Sequence, residues 1–189
     1  SDLEGATNMP TLLSSKVVRA YGSVKFVPGM ILNQTGDLYF QALSVGKTIT
    51  TANKLIQGDI YFNGNGGEWI LQDSLKAAKF IYLLYGHFNS GSKYIKCSNF
   101  YSVIPNNRTL TIANSTFDVE NSSPEYAYVN WRVDGTNLQV NAAGSQINLS
   151  RPSSNFSTTF IQEINARYHN LRFFNSTITG LSQNTRFNK

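Results

Sequence analysis

The chain has 189 residues, of which 14% are charged, 13% aromatic and 41% hydrophobic. That apolar content excludes a disordered chain, and the sparse charge excludes a long solvated helix; the length suits one domain or one slice of a longer array. The net charge of +5 sets 16 Lys and Arg, scattered without a basic run, against 11 Asp and Glu, so no nucleic-acid partner is expected; a generic solubility charge fits this balance best, ahead of mild attraction to acidic polysaccharides or cell surfaces.

Residues 1 to about 24 carry no repeat and read as an N-terminal cap or lead-in. Within them Val17 to Tyr21 is either a capping strand or one turn of helix closing the first coil. From Val24 short extended runs begin: Val24 to Val27, Asp37 to Phe40 and Lys47 to Thr50, punctuated by Gly29, Gly36 and Gly46. Asp59 to Phe62 leads into Asn63-Gly64-Asn65-Gly66-Gly67, a strong turn signal, and Glu68 to Leu71 is extended again. Ser74 to Lys79 is the one segment with a brief helical reading.

The run Arg108 to Val119 holds two alternating apolar stretches that meet at Asn114-Ser115, and the second stretch recurs. Ser115-Thr116-Phe117-Asp118-Val119 is echoed from Ser145, Ser176, Gly86, Gly58 and Gly36, at steps of 22, 28, 29, 30 and 31 residues from Gly36 onward. A period of that size is a solenoid signature. Three apolar columns share it: Leu83, Ile112, Val140 and Phe173; Phe88, Phe117, Ile147 and Ile178; Trp69, Phe100, Trp131 and Phe160. A sandwich of evenly spaced strands explains alternation but not three columns with one period. The expected fold is therefore all-β, a parallel β-helix of about six coils of 22–31 residues with three strands per coil, spanning 25–189. At about 4.8 Å per coil it makes a rod on the order of 25 to 30 Å long. Asn114 and Asn175 precede the small-residue corner, where stacked amides can bond along the axis. Nothing near Thr185 to Lys189 reads as a cap, and the chain is expected to be part of a longer protein with neighbouring domains.

Gly66 to Leu71, Leu84 to Asn89, Arg108 to Phe117, Gly144 to Leu149 and Tyr168 to Phe173, taken in order and spacing over roughly Gly58 to Gly180, are similar to the repeat-rich secreted, adhesin-like surface proteins of Bacteroidetes-type bacteria. The resemblance implies a right-handed coil, secretion and display at a cell surface or matrix. It supplies no catalytic residues, because the shared pattern is structural.

Chemistry is thinly signalled. Cys97 is the only cysteine and alternates onto the apolar side of its strand, which excludes a disulfide framework or thiolate cluster and reads as core. His87 and His169 lie on different strands without Cys or Glu at metal-ligand spacing, so no metal and no cofactor is expected. No apolar run approaches a membrane span. Parallel β-helices also host polysaccharide lyases and glycoside hydrolases, which need convergent carboxylates. Asp118 and Glu120 share one outward face with Asn89 and Asn148 stacked beside Asp118, and Arg132 neighbours Asp134; a solvated polar face accounts for both groups, so no enzymatic activity is expected. Alternation leaves Tyr126 and Tyr128 outward, with Tyr94, Lys96 and Tyr101 on the preceding coil. Exposed aromatic faces flanked by polar groups suit sugar rings, so Tyr94, Lys96, Tyr101, Tyr126, Tyr128 and Arg132 are the candidate ligand contacts, although the general preference of strands for outward Tyr accounts for the pattern more simply. The leading reading is a non-enzymatic, secreted or cell-surface module for display or adhesion to host or matrix components. A carbohydrate-binding module using the Tyr face comes second, and a polysaccharide lyase or hydrolase third.

Overall fold

Short runs that alternate buried and outward residues leave both backbone edges to be paired. In the computed structural model each run pairs in parallel with its counterpart one coil away. The structure describes residues 3–4, 10–120, 131–150, 158–162, 167–168, 170–174, 178–179 and 186–187, and contains no helix among them. The protein is a parallel β-helix with three strands per coil.

Face one is built from Val18–Ala20, Leu38–Phe40, the first part of Ile60–Leu71, the first part of Phe80–Asn89, Asn99–Ser102, Trp131–Val133 and Thr158–Gln162. Face two holds Val24–Lys25, Lys47–Thr50, the ends of the two long strands, Arg108–Thr111 and Leu138–Asn141. Face three holds Thr11–Ser14, Ile31–Gln34, Leu55–Ile56, Leu75–Ala77, Tyr94–Cys97, Thr116–Glu120, Gln146–Ser150 and Asn170–Phe174. Thr11–Ser14 and Val18–Ala20, within the stretch read as lead-in, are already in register with the next coil. Leu75–Ala77 is a strand of face three rather than a helical turn, because Leu75 and Ala77 alternate into the core.

Following face one through its register partners Val18, Leu38, Ile60, Ile81, Phe100, Trp131 and Phe160 gives successive coils of 20, 22, 21, 19, 31 and 29 residues. In the coils of 21 and 19 residues faces one and two fuse into the single strands Ile60–Leu71 and Phe80–Asn89, bent at glycines. Gly86 has φ +76°, and a Cβ on it would run into the Gly64 carbonyl oxygen, so the bend requires glycine.

These unequal coils rearrange the expected columns. Phe100, Trp131 and Phe160 do align, but Trp69 pairs with Phe88 on face two. Phe117 and Ile147 align with Leu171, not with Phe88 or Ile178. Leu83 lies on face one opposite Phe62, while Val140 pairs with Leu110 and Phe173 with Leu149. The small-residue corner is Ser90, Ser115 and Ser145, with Ser90 and Ser115 joined hydroxyl to hydroxyl at 2.6 Å. Gly36 and Gly58 mark the corner before face one, and Gly86 opens the face-two part of its strand. Asn114 has φ 54°, and its side-chain amide oxygen sits where a Cβ on Gly144 of the next coil would lie; Ser176 and Asn175 fall outside the described residues.

The core is a stack of rings inside the coil. Phe40 stacks on Phe62 at 5.1 Å and Phe62 on Phe88 at 4.3 Å, with Trp69 tilted against Phe40 and Phe62. Further along, Phe100 stacks on Trp131 at 4.6 Å and Phe117 meets both edge-on. All seven are fully buried, as is Cys97, whose thiol burial pushes far above its ordinary pKa. Burying each such side chain contributes about 1.5–3 kcal/mol. Phe62→Ala is expected to lower the unfolding free energy by about 3–5 kcal/mol. The adjacent outward Tyr61→Ala should lower it by no more than about 2 kcal/mol, since it removes two cross-strand ring contacts and one long hydroxyl bond to Asp59 at 3.4 Å. Equal losses in urea denaturation would contradict this division between the inside and outside of one strand.

Candidate functional site

One register position of face one points outward, and in successive coils it holds Arg19, Tyr39, Tyr61, Tyr82, Tyr101 and Arg132. The rings form a ladder. Tyr39 and Tyr61 stack at 4.3 Å and 8°, and Tyr61 and Tyr82 at 4.6 Å and 5°. The Arg19 guanidinium lies over the free side of Tyr39, 5.5 Å from its centroid. Because Tyr39, Tyr61 and Tyr82 cover one another's faces, they present edges and hydroxyls to solvent. Tyr101 breaks the pattern: it stands 61° from Tyr82 and 53° from Phe80, with exposed Arg132 opposite it on the next coil. Burial raises the Tyr61 and Tyr101 hydroxyl pKa values, so both stay neutral phenols at physiological pH.

The expected contact residues are divided by this geometry. Tyr101 and Arg132 are together on face one. Tyr94 and Lys96 are on face three, beside Asp118 and Glu120 rather than beside Tyr101. There Tyr94 donates to Asp118 at 2.6 Å, Asn148 donates to the other Asp118 oxygen at 2.6 Å, and Lys96 pairs with Glu120 at 2.8 Å. Asn148 is thus beside Asp118 as expected, but Asn89 is on face two and Lys96 takes its place. The two carboxylates are each engaged by a neighbour, and the exposed Lys96–Glu120 pair adds little stability. Tyr126 and Tyr128 lie outside the described residues.

A third arrangement was hidden in the sequence. On face two a groove of about 520 Å³ is lined by Gly66, Gly67 and Gly86 together with Val45, His87, Asn107 and Gln139. Arg108 also lines it, largely buried and committed to Ser102 Oγ and to the carbonyls of Asn106, Asp134 and Thr136. The parallel register sets His87 opposite Glu68. His87 Nδ1 is 2.9 Å from Glu68 Oε1, and Glu68 Oε2 accepts the Gly46 amide. On its other side His87 Nε2 is 2.8 Å from Thr111 Oγ1. An ionised carboxylate only accepts, so the neutral ring carries its proton on Nδ1, leaving Nε2 to accept the Thr111 hydroxyl proton. Burial lowers the His87 pKa, and the Glu68 charge opposes that shift only in part.

Sequence reasoning could not find this chain of contacts, because Glu68, His87 and Thr111 meet only when the register is known. The available signal was outward alternation in Gly67 to Leu71, Gly86 to Asn89 and Arg108 to Thr111. No family model, no curated protein and no solved structure matches the chain.

With its folded pKa below about 6.5 and its unfolded pKa near it, His87 makes the unfolded state bind more protons in the window beneath 6.5. Stability therefore falls as pH drops through that window. In a titration followed by NMR of the imidazole, His87 is expected to have a midpoint below 6.5, and a lower one still in Glu68→Gln, which removes the charge favouring the protonated ring. A midpoint above that of a denatured-chain histidine would contradict the arrangement.

Proposed function

We propose that the chain is the β-helix module of a secreted or cell-surface protein of the adhesin-like kind its repeats resemble, serving display and adhesion, with glycan as the class of surface it contacts. The observation that carries this reading is the end of the tyrosine ladder, where Tyr101 turns out of the stack next to Arg132. A sugar ring needs an aromatic face and adjacent donors. Tyr39, Tyr61 and Tyr82 stack face to face, whereas Tyr101 meets Phe80 and Tyr82 at an angle and has a guanidinium one coil away. Such a contact suits a neutral or acidic saccharide, in keeping with the net charge of +5.

The remainder of the ladder supports display more than recognition. Stacked rings and coil-to-coil hydrogen bonds hold face one flat and regular, so a contact at Tyr101 sits on a preorganised surface. Face three, with Tyr94, Lys96, Asp118 and Asn148 tied to one another, suits a solvated flank.

On a broad glycan array the chain is expected to retain a defined subset of saccharides, and Tyr101→Ala or Arg132→Ala to lose at least about tenfold in affinity for them, the loss of one aromatic or charged contact. Tyr39→Ala should bind as the native chain does. Binding unaffected by Tyr101→Ala would remove the site from face one, and retention of no saccharide would leave protein-directed adhesion as the reading.

A further inference from the structure

We propose that Thr111, His87 and Glu68 form an acyl-accepting site for small uncharged esters, with Thr111 Oγ1 as nucleophile, His87 as its base and Glu68 as the positioning residue. This is an activity beyond adhesion and is independent of Tyr101 and Arg132, which stand on another face.

The hydroxyl, imidazole and carboxylate are linked in one line by contacts of 2.8 and 2.9 Å. Each member is held by the fold. Glu68 is fixed by its second oxygen on the Gly46 amide, His87 by register against Glu68, and Thr111 by the parallel ladder with Asn89 and Asn141. None of the three is fully buried; His87 and Thr109 line the groove, while Thr111 and Glu68 lie outside its lining and reach it through their contacts with His87. A hydroxyl whose proton is already shared with a neutral imidazole, itself oriented by a carboxylate, is the arrangement that activates an alcohol for attack on a carbonyl.

The groove indicates the class of substrate. Its lining contains Asn65, Asn107, Asn137 and Gln139 but no Lys, and the one lining cation, Arg108, is occupied by carbonyls and Ser102. Phosphate and carboxylate ligands therefore find no counter-charge, and an uncharged ester does not need one. Negative charge developing on the ester carbonyl oxygen would meet the exposed amides of Gln139 and Asn141, which lie one coil beyond Thr109 and Thr111 on the same face.

The step balances without a cofactor. Thr111 Oγ1 bonds to the carbonyl carbon as its proton passes to His87 Nε2. The imidazolium then gives that proton to the departing alkoxide oxygen as the ester C–O bond breaks, leaving acyl-threonine and a free alcohol. Water then attacks the acyl carbon as its proton passes to His87 Nε2; the bond from that carbon to Thr111 Oγ1 breaks, the imidazolium returns the proton to Oγ1, and a carboxylic acid leaves.

The test uses p-nitrophenyl acetate with the whole chain. The expected result is a burst of p-nitrophenolate and a single acetyl group located on Thr111 by peptide mass spectrometry. Thr111→Val should lose the burst by about 100-fold or more, the usual contribution of a nucleophile or its base, while Thr111→Ser keeps it and Thr116→Val, on face three, behaves as the native chain. Circular dichroism of each variant separates loss of reaction from loss of fold. The acetylation rate should rise with pH through the His87 titration, and Glu68→Gln should move that inflection to lower pH as well as slow the reaction. Acetyl found only on lysines, or a rate unchanged in folded Thr111→Val, would overturn the proposal, and would leave the glycan reading untouched.

Discussion

Every feature of this molecule depends on parallel pairing of each coil with the next. A strand of three to five residues cannot hold itself together, and its backbone donors and acceptors are satisfied only by the coils on either side. That pairing fixes register, and register decides which side chains meet. Inside, it superimposes Phe40, Phe62 and Phe88 and, further on, Phe100 and Trp131. Outside, the same repeat along the rod axis lines up residues far apart in sequence at the separation of neighbouring strands.

The outward faces use this repetition in different ways. On face one, identical side chains in successive coils make a ladder that covers its own ring faces, so the interesting residue is the one that departs from the repeat, Tyr101. On face two, unlike side chains in successive coils make a chain of dissimilar groups, Glu68 to His87 to Thr111. Face three lies between these cases: Tyr94, Asp118 and Asn148 satisfy one another and present a polar but internally bonded surface.

The architecture was legible in the sequence because alternation and small corner residues are imposed at every turn of the coil. Phe100 with Trp131, and Phe117 with Ile147, were placed correctly for that reason. The register of the early coils was not legible. All three corners of the coil ask for a small residue, so Gly36, Gly58, Gly86 and Ser115 look alike although they stand at different corners, and equating them imposed one period on coils of 19 to 31 residues. The same error placed Tyr94 beside Tyr101 and concealed the meeting of His87 with Glu68. A glycine that bends a continuous strand from one face into the next resembles a glycine that ends a strand, and only pairing distinguishes them.

The most direct measurement is disulfide formation between paired cysteines introduced on outward positions. Asn89→Cys with Thr111→Cys joins strand neighbours in the described register, at the Cα separation a disulfide accepts. Asn89→Cys with Asp118→Cys joins residues that the simple repeat of Phe88 with Phe117 would make neighbours. The account predicts rapid, near-complete crosslinking of the first pair under mild oxidation and little of the second. Crosslinking of the second pair in preference to the first would contradict the register, and with it the assembly of Glu68, His87 and Thr111.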